Sequence, residues 1–475
     1  MGTTNITFVF MFLPIALALY YIVKDEAKEY VLLFLSIVFY AYGSLKYLSI
    51  FMISIAITIF LGRTIAKNRE CVVSNKILLI VGIIYNVSIL GYYKYYDFAL
   101  STYASMTGLA VELKNLALPL GISFFTFKAI SYLVDVYSEK IVLEESPVHD
   151  VLYLSFFGQV MSGPLSRYSD MKNISCSLDE RGARFELFAS GVYRFLIGFN
   201  KKVLLSDMLS NITSEIFSAP FENFSVAYAW LGAICYSLEL FFDFSGYSDM
   251  AIGITKMFGY NCPENFNFPY MAESVSKFWR RWHITLGAWF RDYIYIPAGG
   301  SRVGKVRLLF NLLLVWALTG IWHGSAWNFV FWGLGYFVVI AFEKYTGLPE
   351  KITSKVGQVL YRIGMLLFIN FQWVIFRSDS LLNALRFIKR MFICEANPLA
   401  DTRTLFLIKD YGVFILAAIV LSFPIVPWLE KQWESNEKVY NVIQTVLMCV
   451  VALLFTWSLS FVVSGLNNPF AYANF

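Results

Sequence analysis

The stretch LLFNLLLVWALTGIWHGSAWNFVFWGLGYFVVIAF, residues 308–342, runs for 35 residues without an Asp, Glu, Lys or Arg. As one helix at 1.5 Å per residue it would reach about 52 Å, whereas the hydrocarbon core of a bilayer is about 30 Å thick. A single crossing cannot use all of it, so the chain must break inside, and Gly320, Gly324 and Ser325 are the places where it can. Irregular backbone at membrane depth is tolerated only where protein buries it or where it lines a cavity. His323, one of three histidines in 475 residues, lies at that break and is therefore expected beside an internal chamber.

Working outward, the rest of the chain has the same character. Hydrophobic residues make up 58% and charged residues 15%, and mean hydropathy is +0.60. That balance lies outside the soluble globular range and marks an integral membrane protein. The apolar runs are continuous rather than alternating, which points to helices and away from a transmembrane barrel. Apolar segments near 6–23, 30–43, 47–62, 77–97, 116–137, 150–165, 186–200, 226–258, 306–342, 357–376, 411–429 and 439–463 predict an all-α, multi-span bundle of about 11–13 crossings. The whole of 1–475 reads as one membrane domain. In RTIAKNRECVVSNK (63–76), Arg63, Lys67, Arg69 and Lys76 stand against one Glu, which places this loop in the cytoplasm by the positive-inside rule and the N-terminus outside. The clusters at 277–283 and 301–307 are expected on the same cytoplasmic face. The first apolar stretch reads as a retained span. The six cysteines (71, 176, 235, 262, 394, 449) have no metal-ligand or redox spacing and read as core fillers.

A second segment departs from the plain span pattern. SVSKFWRRWHITLGAWFRDYIYIP (274–297) mixes charged and aromatic residues. At 100° per residue Lys277, Arg280, Arg281 and Arg291 share one face, and Trp279, Trp282, Leu286, Trp289, Phe290 and Tyr293 the other. This predicts an interfacial or re-entrant amphipathic helix with His283 at the edge of its aromatic face. Cations at such an interface usually meet lipid phosphates; docking the phosphates of a cofactor is the sharper alternative.

An ionisable residue inside a span is a functional-site hypothesis, because a polar group there must find partners. A dry pocket favours the neutral imidazole of His323, which keeps a lone pair for accepting a proton. The bland alternative is a histidine hydrogen-bonded to a neighbouring helix. No G-x-S-x-G elbow, H-E-x-x-H or paired Cys/His motif is present, so direct transfer to a hydroxyl is favoured over a covalent enzyme intermediate, and no metal site is expected. In YSLELFFDFSGYSDMAIG (236–253), Glu239 and Asp243 share a helix face. With no matching base nearby in sequence, structural support is the favoured role. Lys128 and Asp135, seven apart, read as an interhelical tether.

Several of these stretches together carry a family resemblance: PLGISFFTF (119–127), SYLVDVY (131–137), FFGQVMSGPLSRY (156–168), FFDFSGYSDMAIG (241–253), the segment from NFNFPY through FWRRWH to YIPAGGSR (265–302), and TGIWHGSAWNFVFWG (319–333). The chain resembles the membrane-bound O-acyltransferases, in particular their bacterial alginate O-acetyltransferase-like branch. The core motifs fall within 119–335, and 400–475 adds further spans. The resemblance implies helices around a central tunnel in the bacterial cytoplasmic membrane, and an acyl group moved from a cytoplasmic donor, acetyl-CoA, to a hydroxyl of an exported polysaccharide. It implies His323 as the catalytic residue and His283 as a second histidine of the active region. Trp322, Asn328, Arg280, Arg281 and Asp243 are the expected substrate-binding residues. The implied partners are membrane lipid, the polysaccharide acceptor and an extracytoplasmic acyltransferase that completes transfer; nucleic acid is not expected. Relatives often carry a further histidine where this chain has Tyr336. Two other readings stand beside this one: D-alanyl transfer from a carrier protein to teichoic acid within the same family, and a transporter using Glu239 and Asp243.

Overall fold

The computed structural model describes residues 2–171, 181–392 and 397–470, and among them every regular element is a helix. Among the described residues, seven helices are long and apolar enough to cross a membrane: Asp25–Lys67, Val72–Thr107, Val226–Met257, Lys305–His323, Lys355–Arg377, Thr402–Leu421 and Glu437–Val463. Asp25–Lys67, 43 residues, would be about 65 Å long if straight. The 3-10 turn Leu45–Tyr47 divides it into two 20-residue helices, Asp25–Ser44 and Leu48–Lys67, each about one hydrocarbon thickness long. The membrane-embedded, all-helical class expected from composition is the one observed.

Some apolar segments are used differently. Residues 150–165 are helical only to the end of Val148–Ser155; Phe156 leaves the helix at ψ 118° and irregular backbone follows. Gly121 shows why the chain is compact here: its φ is +66°, and a Cβ on it would lie 2.0 Å from the Val160 carbonyl oxygen. Two loops thus pass closer than any other residue allows. Residues 186–200 belong to Arg181–Asn200, which runs on through the π-turn Lys201–Ser206 into Asp207–Ser218.

The described chain falls into two compact units, one built mainly from Met1–Phe195 and Ser248–Glu264, the other from Leu196–Tyr247 and Asn265–Ala471. In the first, Ile122–Tyr137 is buried along nearly its whole length against Leu48–Lys67 and Val72–Leu90. Lys128 Nζ donates to the Tyr153 carbonyl and to Gln159 Oε1, both at 2.9 Å, which bears out its reading as a tether. Asp135 pairs with Lys140 instead. Arg63 ties the basic segment down by donating to Asp150 at 2.8 Å and to the carbonyls of Glu144, Glu145 and Ser146. Of the cysteines, Cys235 and Cys262 are buried as expected of core fillers, but Cys71 and Cys449 are exposed; Cys176 and Cys394 lie outside the described residues.

The second unit is organised around the opening stretch. Helix Lys305–His323 ends at Gly324, the backbone is extended at Gly324 and again at Ala326, and Trp327–Thr346 returns beside it. The break falls at Gly324 and Ser325. Gly320 has another use: a Cβ there would meet the Phe329 carbonyl oxygen at 2.5 Å, and one on Gly333 the Trp316 carbonyl oxygen at 2.4 Å. The two glycines let the hairpin's backbones touch, so that its aromatic residues pack sideways onto Lys355–Arg377.

The expectation of one continuous amphipathic helix over 274–297 is corrected. The segment folds as Val275–Trp279, a turn, Ile284–Phe290 and a π-turn at Arg291–Tyr295. The break is at His283, whose φ of +47° lies in the left-handed region. For a non-glycine residue that conformation costs on the order of 1–2 kcal/mol and persists where the surroundings over-determine it. The partition of faces survives the break in the main: Arg280 and Arg291 are exposed and Trp282, Leu286, Trp289, Phe290 and Tyr293 buried, while Lys277, Arg281 and Trp279 are all half-buried.

Candidate active site

His323 is the last residue of its helix, and Gly324 after it is dictated by packing. A Cβ on Gly324 would sit 2.1 Å from two atoms of the Phe329 ring. The imidazole is 1% exposed and stands among aromatic rings, with centroids at 4.8 Å from Trp322, 4.8 Å from Trp332 and 5.3 Å from Phe376. It therefore faces protein and not lipid.

His283 is also 1% exposed. Its ring stands edge-on to Phe244 at 4.5 Å and lies 6.1 Å from Trp322. Trp322 is thus in ring contact with both histidines, which come from segments 40 residues apart in sequence. Nδ1 of His283 is 3.1 Å from Asn265 Oδ1. His283 Nε2 has no hydrogen-bond partner among the described residues. Burial pushes this imidazole down to about 3 from its ordinary 6.5, so the ring is neutral across the physiological range.

Glu343, the first charge after the opening stretch, holds the FWRRWH segment in place. It is buried, and its carboxylate accepts from Val275 N at 2.7 Å, Ser276 N at 2.8 Å and the Tyr361 hydroxyl at 2.8 Å. A carboxylate on the free N–H groups that open Val275–Trp279 satisfies those donors and fixes where the next turn, with His283, begins. Tyr336 is fully buried, stacked on Trp316 at 5.3 Å and edge-on to Trp279 at 4.9 Å and Trp332 at 5.0 Å. At this position the chain has an aromatic packing residue.

The other expected site residues have separate surroundings. Asn328 donates to the carbonyls of Ile375 at 3.3 Å and Ser378 at 2.9 Å, tying the start of one helix to the end of another. Arg280 is exposed and Arg281 half-buried, presenting cations at the surface next to the buried His283. Asp243 meets Lys202 Nζ at 2.6 Å, and the same Nζ meets Asp207 Oδ1 at 2.7 Å. Lys202 is the matching base that the carboxylates lacked in the local sequence. It arrives from a π-turn 41 residues earlier. Glu239 accepts from Thr213 Oγ1 at 2.5 Å.

Sequence reasoning missed Asn265, Glu343 and Phe376. Asn265 stands inside the quoted NFNFPY motif and could have been flagged there; the other two have no local signal. It also missed one cluster in the first unit. Glu29, Glu144 and His149 bring their potential ligand atoms within 4.8 Å of one another, a spacing that could hold a metal ion, and His149 Nδ1 already bonds Glu29 at 2.8 Å.

A family model described as "MBOAT, membrane-bound O-acyltransferase family" matches residues 146–377, which include both site histidines. The chain is 37% identical over 389 residues to "Probable alginate O-acetylase AlgI" of Pseudomonas syringae pv. tomato, covering 81% of this chain and 74% of that one. It is 34% identical over 414 residues to "Peptidoglycan O-acetyltransferase" of Helicobacter pylori, covering 81% and 78%. With "Teichoic acid D-alanyltransferase" of Bacillus subtilis it shares 30% over 258 residues, covering 50% and 64%.

Proposed function

The chain belongs to the membrane-bound O-acyltransferase family, and from that premise we propose that it moves an acetyl group from acetyl-CoA, presented on the cytoplasmic side, to a hydroxyl of an exported cell-surface polysaccharide. It is a membrane-embedded O-acyltransferase; the donor, the direction and the residues are our reading. We read the whole chain as one enzyme working in the bacterial cytoplasmic membrane.

In this reading His323 is the general base. The acceptor hydroxyl gives its proton to the imidazole as its oxygen bonds to the acyl carbon; the carbon–sulfur bond breaks, and the departing thiolate takes up the proton. The aromatic wall keeps water from competing as the acceptor. Excluding water also strengthens every electrostatic interaction in the site. The surface cations Arg280 and Arg281 offer a place for the donor's phosphates, and Trp322 and Asn328 shape the pocket around the reacting groups. Asp243 supports the site from its ion pair. An extracytoplasmic acyltransferase partner would complete delivery to the polymer.

The observation that carries this reading is the meeting of two buried histidines from separate segments on one tryptophan. Acetyl transfer is favoured over D-alanyl transfer by the extent of the similarity, four-fifths of the chain against half. The transporter reading needs Glu239 and Asp243 available to a solute, whereas they are engaged by Thr213 and Lys202. The test is the O-acetyl content of the cell envelope, with teichoic acid D-alanine measured beside it, in strains carrying wild type, His323→Ala and Asp243→Asn. Loss of O-acetyl groups with His323→Ala supports the proposal. Full O-acetylation with His323→Ala, or loss of D-alanine alone, overturns it.

A further inference from the structure

The orientation of Asn265 can be read from its neighbours. Its side chain is fully buried, and its Oδ1 lies 3.2 Å from Thr285 N, 2.8 Å from Thr285 Oγ1 and 3.1 Å from His283 Nδ1. A backbone N–H can only donate, so the amide atom facing Thr285 N must be the oxygen. An amide oxygen can only accept, so in the neutral ring the hydrogen of His283 is on Nδ1 and the lone pair on Nε2. The backbone makes the contact rigid: Ile284 N donates to the Asn265 carbonyl and Asn267 N to the Arg281 carbonyl, both at 2.9 Å. These bonds pin 265–267 alongside 281–284 and hold His283 in its left-handed conformation. Its Nε2 is buried without a protein hydrogen-bond partner among the described residues.

An acceptor nitrogen selects which reactant it can recognise. The reacting end of a thioester, a carbonyl oxygen and a sulfur, offers only acceptors, whereas a sugar hydroxyl offers an O–H. In this tautomer His283 cannot donate from Nε2 to an oxyanion. It can hold an alcohol.

We propose that Asn265 is a positioning residue that locks His283 in the Nδ1–H tautomer, so that His283 Nε2 accepts a hydrogen bond from a hydroxyl of the acceptor polysaccharide. This assignment rests on the acyl-transfer reading for the identity of the ligand, but not for the tautomer. His283 is thereby on the acceptor side of the reaction and contributes no oxyanion stabilisation. The device resembles the second partners of metal-bound histidines, where the bond at one ring nitrogen decides what the other can do.

With three histidines in the chain, 15N-histidine labelling of the full-length protein in nanodiscs, compared with His149→Gln and His323→Gln samples, isolates the His283 signals. Wild type should show a protonated Nδ1 and an unprotonated Nε2 between pH 6 and 8. Asn265→Asp preserves an acceptor for both Thr285 and Nδ1 and should keep that pattern and most envelope O-acetylation. Asn265→Leu should lose the single-tautomer signature and lower O-acetylation tenfold or more. A wild-type His283 protonated at Nε2 overturns the proposal, and so does an Asn265→Leu protein with unchanged tautomer and activity. Should Asn265→Leu fail to fold, the wild-type and Asn265→Asp spectra still decide the matter. Retained activity in His323→Ala would sink the general-base reading while leaving this tautomer result standing, so the two failures are distinct.

Discussion

Two buried polar places in the second unit are built on opposite plans. Around Lys202 the charges are paired: Asp207 and Asp243 both bond its ammonium, which also donates to the Pro469 carbonyl at 3.4 Å, and the Phe470 ring covers it at 5.0 Å. Around His283 and His323 the packing neighbours are mostly aromatic rings, with the Asn265 amide on His283 Nδ1. A buried ion pair is costly to break because either partner alone is a charge without water. The neutral imidazole of His283 carries no charge to desolvate, and its Nε2, unbonded within the described residues, keeps a lone pair in reserve at a cost of about 1–3 kcal/mol. The comparison teaches that burial of a polar side chain is not by itself a sign of chemistry. What matters is whether its bonding capacity is already spent inside the fold.

The sharpest way to break this contrast is to remove one residue from each place and measure folding and activity together. His323→Ala should lower acyl transfer a hundredfold or more, the usual worth of a general base, while thermal unfolding in detergent changes little. Lys202→Met should do the reverse. It leaves Asp207 and Asp243 facing each other in the interior, a loss of about 3–5 kcal/mol, seen as aggregation or a lower Tm before any kinetic effect. If His323→Ala unfolds the protein and Lys202→Met does not, the distinction between the two places fails.

Glu343 joins the two plans, since a charged group serves there to position the histidine segment. Glu343→Gln keeps the size but presents an NH2 to one of two backbone donors. It should cost about 1–3 kcal/mol of stability and reduce acyl transfer about tenfold, with Tm and envelope O-acetyl content read on the same preparation. An unchanged Tm would show that FWRRWH is held by its aromatic packing alone.

The smallest effect belongs to the third histidine, in the first unit. Burial alone would lower the titration point of His149, but its bond to Glu29 and the charge of Glu29 outweigh burial and raise it. The protonated form is the one the fold favours, so the pair's stabilisation is fully present below about pH 6.5 and is lost as pH rises through the raised value. The Tm difference between wild type and His149→Gln should therefore shrink from pH 6 to pH 9, with a total worth of no more than about 1 kcal/mol. A difference that grew with pH would mean that His149 is held neutral.

Most of this architecture is legible in the linear chain, and the reasons are physical. A run of 35 uncharged residues is too long for one crossing, so the break at Gly324 and Ser325, and with it the place of His323, follows from length and helix propensity. The two faces of 274–297 follow from periodicity. What periodicity cannot see is where a backbone leaves its regular path. His283 breaks that helix because Asn265, 18 residues earlier, bonds across it, and no local propensity contains that information. In the same way, Lys202 and Asp243 are far apart in sequence and carry no pattern that pairs them.

That this protein is helical, embedded in a membrane and carries histidines at 283 and 323 in distinctive aromatic segments is written in the chain itself, because hydrophobic length and residue type are properties of short segments. Which charges are neutralised, which nitrogen of His283 keeps its lone pair, and that Trp322 touches both imidazoles follow from the fold in three dimensions. Each of those depends on a partner brought in by the fold from another segment, and hydrogen bonds and ion pairs are decided at distances of about 3 Å, where sequence separation has no say.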